Sequence, residues 1–213
     1  MKLHSYWRSS AAYRARIALN VKGLAAEQVA HHLARGEQRT PGYLALNPQG
    51  LVPALEVDGE VIGQSLAIIE YLDERYPAPP LLPREPMARA QVRAMALTVA
   101  CDIHPLGNLR VLNYLRGEFR QPEEAVNAWA RHWIETGFVA LEAAVRRHSG
   151  DGRHSYGSAV SLADVYLVPQ MYNARRYGCD LSASPTLVAI DAALRERTDF
   201  AAAAPERQPD AGA

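Results

Sequence analysis

Two adjacent serines stand where a polar loop meets the first predicted helix. The loop is Arg8, Ser9 and Ser10, and the residues from about 11 to 22 predict a helix that ends at Gly23. Exposed N–H groups and the helix dipole at such a junction favour an anion. A serine hydroxyl there can donate to a thiolate, lower the pKa of the thiol and create a nucleophile at neutral pH. Taken alone, the pattern favours a serine that only caps the helix.

Two further segments have groups suited to a peptide-like ligand. Pro53 begins a predicted strand, and a cis bond before it turns the backbone of Val52 outward, where it can pair with an extended peptide. A trans proline at a sheet edge is the commoner arrangement. Gln64 and Ser65 precede another predicted helix, whose N-terminus can hold the carboxylate of an α-amino acid. Capping alone explains Ser65 equally well.

The elements that carry these residues form a mixed α/β pattern in the first third of the chain. Short strands are predicted over 2–7, 27–32, 51–57 and 60–62. Asp58-Gly59 is a hairpin signal, because both central residues of a type I′ turn need positive φ. The residues after Ser65 have helical composition up to Pro77.

Beyond a proline-rich linker, residues 76–83, the sequence becomes Ala-rich and helical. Pro86 suits a helix start, and Val92, Met95, Ala96 and Val99 repeat with the spacing of one buried stripe. Ser161 and Asp164 have the spacing of a capping box. Further helices are predicted over 106–116, 123–147, 162–177 and 185–197, followed by a poorly ordered tail over 201–213. The sequence therefore predicts a small α/β domain, a linker and an all-helical domain.

Composition excludes several classes of function. The 213 residues contain 23 Lys and Arg and 23 Asp and Glu, so the formal net charge is zero and a chain-wide grip on nucleic acid or membrane is not expected. Cys101 and Cys179 form neither a disulfide framework nor a zinc motif, so no metal is expected. The chain has no apolar run typical of a signal peptide or a spanning helix, which indicates a cytoplasmic protein.

Several segments, taken together, resemble one protein family. Residues 6–19 are similar to the zeta-class glutathione transferase signature, Ser-Ser-Cys-x-x-Arg-x-Arg-Ile-Ala-Leu. Residues 46–55 resemble the family segment that carries a cis-proline, and residues 64–72 resemble its γ-glutamyl-binding segment. Residues 102–112, 162–164, 167–170 and 208–210 also agree, so the likeness covers essentially the whole chain in order.

The resemblance implies a glutathione transferase fold, α/β plus all-α. It places a thioredoxin-like glutathione-binding domain at 1–80 and an all-helical substrate-binding domain at 86–213. It further implies a homodimer that uses glutathione to isomerise a small maleyl dicarboxylate in aromatic catabolism. The family includes isomerases of maleylacetoacetate and of maleylpyruvate, and the sequence does not distinguish these two substrates.

Site residues are carried over position by position. Ser9 matches the serine that activates the sulfur, whereas the motif cysteine is replaced by Ala11. The carried-over catalytic residues are Ser9 and Ser10, and the glutathione-binding residues are Gln49, Val52, Gln64, Ser65 and His104. Arg8 is a third catalytic candidate because it lies beside the serines, where it can stabilise an enolate. A dianionic substrate needs cations, and arginine suits carboxylates because its planar fork binds two oxygens. The candidates are Arg8, Arg110 and Arg176, although Arg175 and Arg176 also suit a solvated helix end.

Two other classes of function stay open. One is a general glutathione transferase or dehalogenase acting on small electrophiles. The other is a non-catalytic interaction module, against which the retention of Ser9, Gln64 and Ser65 speaks. A disulfide reductase of this superfamily needs a cysteine in the loop from Ser9 to Ala11, and the loop has none.

Overall fold

The computed structural model describes residues 1–212, which divide into two compact units. One unit joins residues 1–80 to the residues from Glu196 onward, and the other is Leu81–Arg195. The sequence instead assigns everything from 86 to 213 to the second domain. The last residues join the first unit because they pack along its first helix. The functional labels of the two predicted domains stay predictions.

A four-stranded mixed sheet forms the centre of the first unit. Its strands are β1 (Lys2–Ser5), β2 (Glu27–Ala30), β3 (Ala54–Val57) and β4 (Glu60–Gly63), in the order β2-β1-β3-β4. β1 is parallel to β2 and antiparallel to β3, and β3 is antiparallel to β4. Asp58 and Gly59 have φ values of 52° and 84°, which confirms the predicted hairpin turn.

Three helices accompany this sheet in the first 80 residues. They are α1 (Ser10–Val21), α2 (Pro41–Leu46) and α3 (Ser65–Arg75). α1 ends as predicted, because Gly23 adopts a φ of 65° just beyond it. Sequence reasoning missed α2, although proline at its first position after Thr40 is a helix-start signal.

The second unit is helical. It contains α4 (Pro86–Leu97), α5 (Leu109–Gly117), α6 (Glu123–His148), α7 (Leu162–Tyr177) and α8 (Pro185–Arg195). A π-helical turn, Thr98–Ile103, and a 3-10 turn, His104–Gly107, connect α4 to α5. The predicted capping box is confirmed at the start of α7, where Asp164 is fully buried. None of the helices within residues 1–212 is long and apolar enough to cross a membrane.

Residues 201–212 form a defined structure, which corrects the expectation of a poorly ordered tail over this range. α9 (Thr198–Ala203) packs on α1, and a 3-10 turn follows at Pro205–Arg207. Phe200 is 0% exposed, so α9 has a buried apolar anchor that the Ala-rich composition concealed. Ala213, the last residue of the predicted tail, lies outside the described residues.

Candidate active site

Ser9 is the N-cap of α1. Its Oγ accepts a hydrogen bond from Ala12 N at 3.2 Å, and its own N–H donates to Tyr6 O at 3.0 Å. The hydroxyl proton has no acceptor within the part of the chain that the structure describes, and the residue is half-buried. A hydroxyl that accepts from the helix can still donate outward, so capping and thiolate stabilisation are compatible. Ser10, the first residue of α1, is buried.

Arg8 lies immediately before this cap and is exposed. Its guanidinium carbon is 5.3 Å from the centroid of the Trp7 ring, a cation–π contact. No carboxylate of residues 1–212 forms an ion pair with it. The charge of Arg8 is therefore available to an anionic ligand at the start of α1.

The Val52–Pro53 peptide bond is cis, as the resemblance implies. The carbonyl before it, Leu51 O, accepts hydrogen bonds from Tyr43 Oη at 2.6 Å and Asn47 Nδ2 at 2.8 Å. Burial raises the pKa of Tyr43, so its hydroxyl stays a donor across the neutral range. These two bonds from α2 and its end hold the loop in place.

Val52 itself is 8% exposed, and its N–H and C=O have no hydrogen-bond partner among residues 1–212. Buried backbone groups are almost always paired in folded proteins. An extended peptide backbone supplies one acceptor and one donor at the spacing needed, as a strand does at a sheet edge. The unpaired N–H and C=O of Val52 thus fit a peptide-like cofactor such as glutathione.

The two candidate glutamines contact each other. Gln64 Nε2 donates to Gln49 Oε1 at 3.0 Å, and both side chains are exposed. Gln64 has a φ of 67° at the N-cap of α3, a conformation rare for a residue other than glycine. The next residue, Ser65, is buried, and its Oγ accepts from Arg14 Nη1 at 3.5 Å.

In the helical unit, three candidate residues occupy separate elements. His104 begins the 3-10 turn and is half-buried, whereas Arg110 is exposed in the first turn of α5. Arg176 is exposed near the end of α7, where it donates to Tyr177 Oη at 2.7 Å. Its neighbour Arg175 instead pairs with the buried Asp191. Arg175 therefore has a structural partner, and the part of the chain that the structure describes offers no carboxylate partner to Arg176.

Other reactive groups offer little alternative chemistry. Within the described residues, no group of His, Cys, Asp and Glu side chains is arranged to hold a metal ion. Burial raises the pKa of Cys179 to about 11, so this thiol is protonated at neutral pH. Cys101 is a free thiol on the exposed face of the π-helical turn.

Comparison with known proteins identifies the family. A family model described as the glutathione S-transferase N-terminal domain matches residues 3–80. A probable maleylacetoacetate isomerase of Vibrio cholerae is 53% identical over 212 residues, covering 98% of this chain and 97% of that protein. A maleylpyruvate isomerase of a Ralstonia species is 50% identical over 210 residues, covering 99% of each.

A solved structure decides the class. It is the holo structure of a maleylpyruvate isomerase described as a bacterial zeta-class glutathione S-transferase, and it matches with a TM-score of 0.97, 49% identity and full coverage of both chains. This chain belongs to the zeta-class glutathione transferase family. A second structure, from Anaeromyxobacter dehalogenans, contains dicarboxyethyl glutathione and citrate in its active site. It matches with a TM-score of 0.88 and 47% identity, covering 100% of this zeta-class chain and 97% of that one.

Sequence reasoning missed the residues that hold the zeta-class site loops. Tyr43 and Asn47 donate to the carbonyl of Leu51, just before the cis bond. The contact of Tyr43 could not be predicted because α2, which carries it, was not predicted. Arg16, a motif residue without an assigned role, is 2% exposed and contacts the loop that leads to Ser9. Asp210, in a segment that only the resemblance singled out, accepts from Trp7 N at 2.8 Å.

Proposed function

We propose that this protein uses glutathione to isomerise the cis double bond of a small maleyl dicarboxylate. The observation that carries the proposal is Ser9, which caps α1 and keeps its hydroxyl proton available beside the exposed charge of Arg8. A thiolate is the anion that such a donor and helix end favour. The same unit contains the unpaired backbone of Val52 and the amides of Gln49 and Gln64.

The proposed contacts follow from the chemistry of each group. Val52 N–H and C=O pair with the cysteinyl part of glutathione, as they would with a neighbouring strand. Gln64 and Ser65 hold the γ-glutamyl end, where the N-terminus of α3 suits its carboxylate. Gln49 and His104 are proposed at the glycyl end. The hydrogen bond between Gln49 and Gln64 extends one amide network along the ligand.

Bound glutathione supplies a thiolate that adds to one carbon of the double bond, so that the bond rotates as a single bond before elimination restores it in the trans form. Ser9 donates to the sulfur and stabilises its anionic form. Arg8 stabilises the negative charge that develops on the substrate carbonyl oxygen. No protein thiol takes part, so Ala11 in place of the motif cysteine is compatible with this chemistry.

A dicarboxylate substrate is supported by the candidate arginines. Arg8, Arg110 and Arg176 have no carboxylate partner within residues 1–212, whereas Arg175 is committed to Asp191. A structural relative with dicarboxyethyl glutathione in its active site is consistent with this substrate class. Relatives named for maleylacetoacetate and for maleylpyruvate are 53% and 50% identical, a difference too small to favour either substrate.

Two broader features belong to the same proposal. We propose that the protein is a homodimer, as the family resemblance implies, and that it works in the cytoplasm on an intermediate of aromatic catabolism. Light scattering at micromolar concentration tests the first feature, and a monomer there contradicts it. The second is tested by fractionating cells that express the protein at its natural level.

The proposal is tested by measuring turnover of maleylpyruvate and maleylacetoacetate with glutathione, beside a neutral chloronitrobenzene. Arg8→Met is expected to lower kcat on the maleyl substrates, because the developing charge lies near it. Arg176→Met is expected to raise KM, because a distant carboxylate is held equally in the ground and transition states. Arg153→Met, an exposed arginine elsewhere in the helical unit, is the matched control. Full activity of both variants, or faster turnover of the neutral electrophile, contradicts the proposal and favours a general transferase.

A further inference from the structure

Arg16 is a buried cation whose donors are directed at backbone oxygens and at the hydroxyl of Ser5. The residue is 2% exposed and lies in the middle of α1. Its Nη2 donates to Trp7 O at 2.9 Å, and its Nη1 donates to Tyr6 O at 3.4 Å and to Ser5 Oγ at 3.1 Å. A buried charge is costly unless it is hydrogen-bonded, so these contacts are strongly favoured. Burial lowers the pKa of Arg16 to about 10, which leaves it cationic at neutral pH.

Two of the Arg16 contacts, those to Tyr6 O and Trp7 O, hold the segment 6–9, here called the serine loop. Tyr6 O, which Arg16 binds, also accepts the N–H of Ser9 at 3.0 Å. Trp7 N donates to Asp210 Oδ2 at 2.8 Å from the other end of the chain. The Tyr6–Trp7 and Trp7–Arg8 peptide groups are thus each held by a charged side chain, and the first of them binds the N–H of Ser9. Hydrogen bonds to charged groups are about twice as strong as neutral ones.

The C-terminal segment, residues 196–212, supplies the second half of this arrangement. Arg16 Nε donates to Ala203 O at 3.0 Å, and Asn20 Nδ2 donates to Asp199 O at 2.8 Å. Gln208 accepts from Gln28 Nε2 at 3.1 Å and is 6% exposed. With these contacts the C-terminal segment is anchored to α1 and β2, so Asp210 is presented to Trp7 by a fixed backbone.

We propose that Arg16 and Asp210 are positioning residues that fix the serine loop and thereby aim the Ser9 hydroxyl at the glutathione sulfur. The inference rests on the proposed role of Ser9. Both residues act through the backbone that leads to Ser9. The C-terminal segment then helps to build the active site. Its loss leaves the orientation of the Ser9 hydroxyl less well defined, although no group that contacts the ligand is removed.

The test compares Asp210→Ala with Asp199→Asn, a carboxylate of the same segment that contacts Arg197 and not the serine loop. The pKa of the bound glutathione thiol is read from thiolate absorbance, and the dissociation constant of glutathione is measured separately. Asp210→Ala is expected to raise the thiol pKa and lower kcat roughly tenfold, the equivalent of one hydrogen bond of ordinary strength, with the dissociation constant changed less than about twofold. Asp199→Asn is expected to match wild type in both.

Asp210→Asn keeps an acceptor for Trp7 N–H and is expected to restore most of the turnover. If Asp210→Ala keeps a wild-type thiol pKa and kcat, or if Asp210→Asn is as impaired as Asp210→Ala, the positioning role is overturned. Should Asp210→Ala not fold, Arg16→Lys replaces it, because it keeps the charge and loses the fork that spans Tyr6 and Trp7. A wild-type protein that lowers the thiol pKa but isomerises nothing overturns the proposed function alone. A wild-type protein that leaves the thiol pKa unchanged overturns both.

Discussion

Gln64 and Gln49 are joined side chain to side chain across fifteen residues of sequence, with Nε2 and Oε1 3.0 Å apart. The link joins the start of α3 to the loop that precedes the cis bond. Gln64 makes this contact with a φ of 67°, a backbone conformation that costs a non-glycine residue of order 1–3 kcal/mol of folding free energy. A single neutral hydrogen bond between two side chains contributes only about 0.5–1.5 kcal/mol in return. The strained conformation of Gln64 therefore supports its proposed role in glutathione binding.

Replacement of Gln64 by glycine separates these two roles. Gln64→Gly relieves the positive φ and is expected to leave the free energy of unfolding unchanged or raise it by up to about 1 kcal/mol. The affinity for glutathione is expected to fall, because the amide is lost. Denaturant unfolding and calorimetric binding measure the two effects. Asp58→Gly, at a φ of 52° in the hairpin turn, is the control and leaves affinity unchanged. Unaltered affinity in Gln64→Gly refutes its place in the site.

Ser9→Ala removes both a cap and a donor. The lost cap is expected to lower the free energy of unfolding by about 1 kcal/mol. The lost donor is expected to raise the pKa of bound glutathione and lower turnover more than affinity, since such a charged hydrogen bond contributes about 1.5–3 kcal/mol. The pH–rate profile and the thiolate absorbance measure this.

Glu85→Ala is the matched control for capping. Glu85 is the N-cap of α4, where its carboxylate accepts from Met87 N at 2.9 Å and Ala88 N at 2.6 Å. Its loss is expected to weaken the fold without moving the thiol pKa. An unchanged pH–rate profile in Ser9→Ala points to Ser10 instead.

The contact between the buried His4 and the half-buried His31 predicts how stability depends on pH. His31 Nε2 and His4 Nδ1 are 2.8 Å apart, His4 Nε2 binds Glu56 at 2.7 Å, and the His31 ring lies against Tyr43. Burial, and then the neighbouring His4, lower the pKa of His31 below 6.5, whereas the nearby Glu37 acts in the opposite direction. The unfolded chain then takes up a proton before the folded one. The contribution of neutral His31 to the free energy of unfolding is complete above about pH 6.5. It is lost as the pH falls through the pKa of His31 in the folded protein.

Urea unfolding at pH 7.5 and pH 5 measures this loss. His31→Phe keeps a ring against Tyr43 and removes the titration, so the difference in stability between the two pH values is expected to shrink. His132→Phe, an exposed histidine on α6, is expected to leave the difference as in wild type. If His31→Phe shows the same difference in stability between pH 7.5 and pH 5 as wild type, the acid sensitivity comes from other groups.

Gly137 admits the π-helical turn that precedes His104. A Cβ at this position would lie 2.3 Å from Ile103 Cγ1 and 2.5 Å from Ile103 Cδ1. Gly137→Ala is therefore expected to destabilise the protein by about 1–3 kcal/mol. It is also expected to displace His104, and the proposed place of His104 at the glycyl end of glutathione predicts weaker glutathione binding as a result. Ile103→Ala removes both of these contacts. The double variant is therefore expected to lose less free energy of unfolding than the sum of the losses in the two single variants. Strict additivity in denaturant unfolding contradicts the steric explanation.

Local signals in the sequence were sufficient for most of the fold. Asp58-Gly59 predicts its hairpin because the two φ angles it needs depend on those residues alone. Pro86 marks a helix start because its fixed φ suits the first helical position, and Ser161 with Asp164 marks another because their side chains pair N–H groups that a helix start leaves free. α2 escaped because six mostly exposed residues have too little apolar periodicity to detect.

The sequence by itself determined the residue types of the site, through a motif whose serines, glutamine and prolines stand in a fixed order. Only the tertiary structure decided their partners. Arg16 meets Ala203 across 187 residues, and Trp7 meets Asp210 across 203. Arg175 and Arg176 are chemically identical neighbours, yet only Arg175 has the buried Asp191 within reach. Such pairings depend on which residues, far apart in sequence, are brought together by packing. Local sequence propensities contain no information about these contacts.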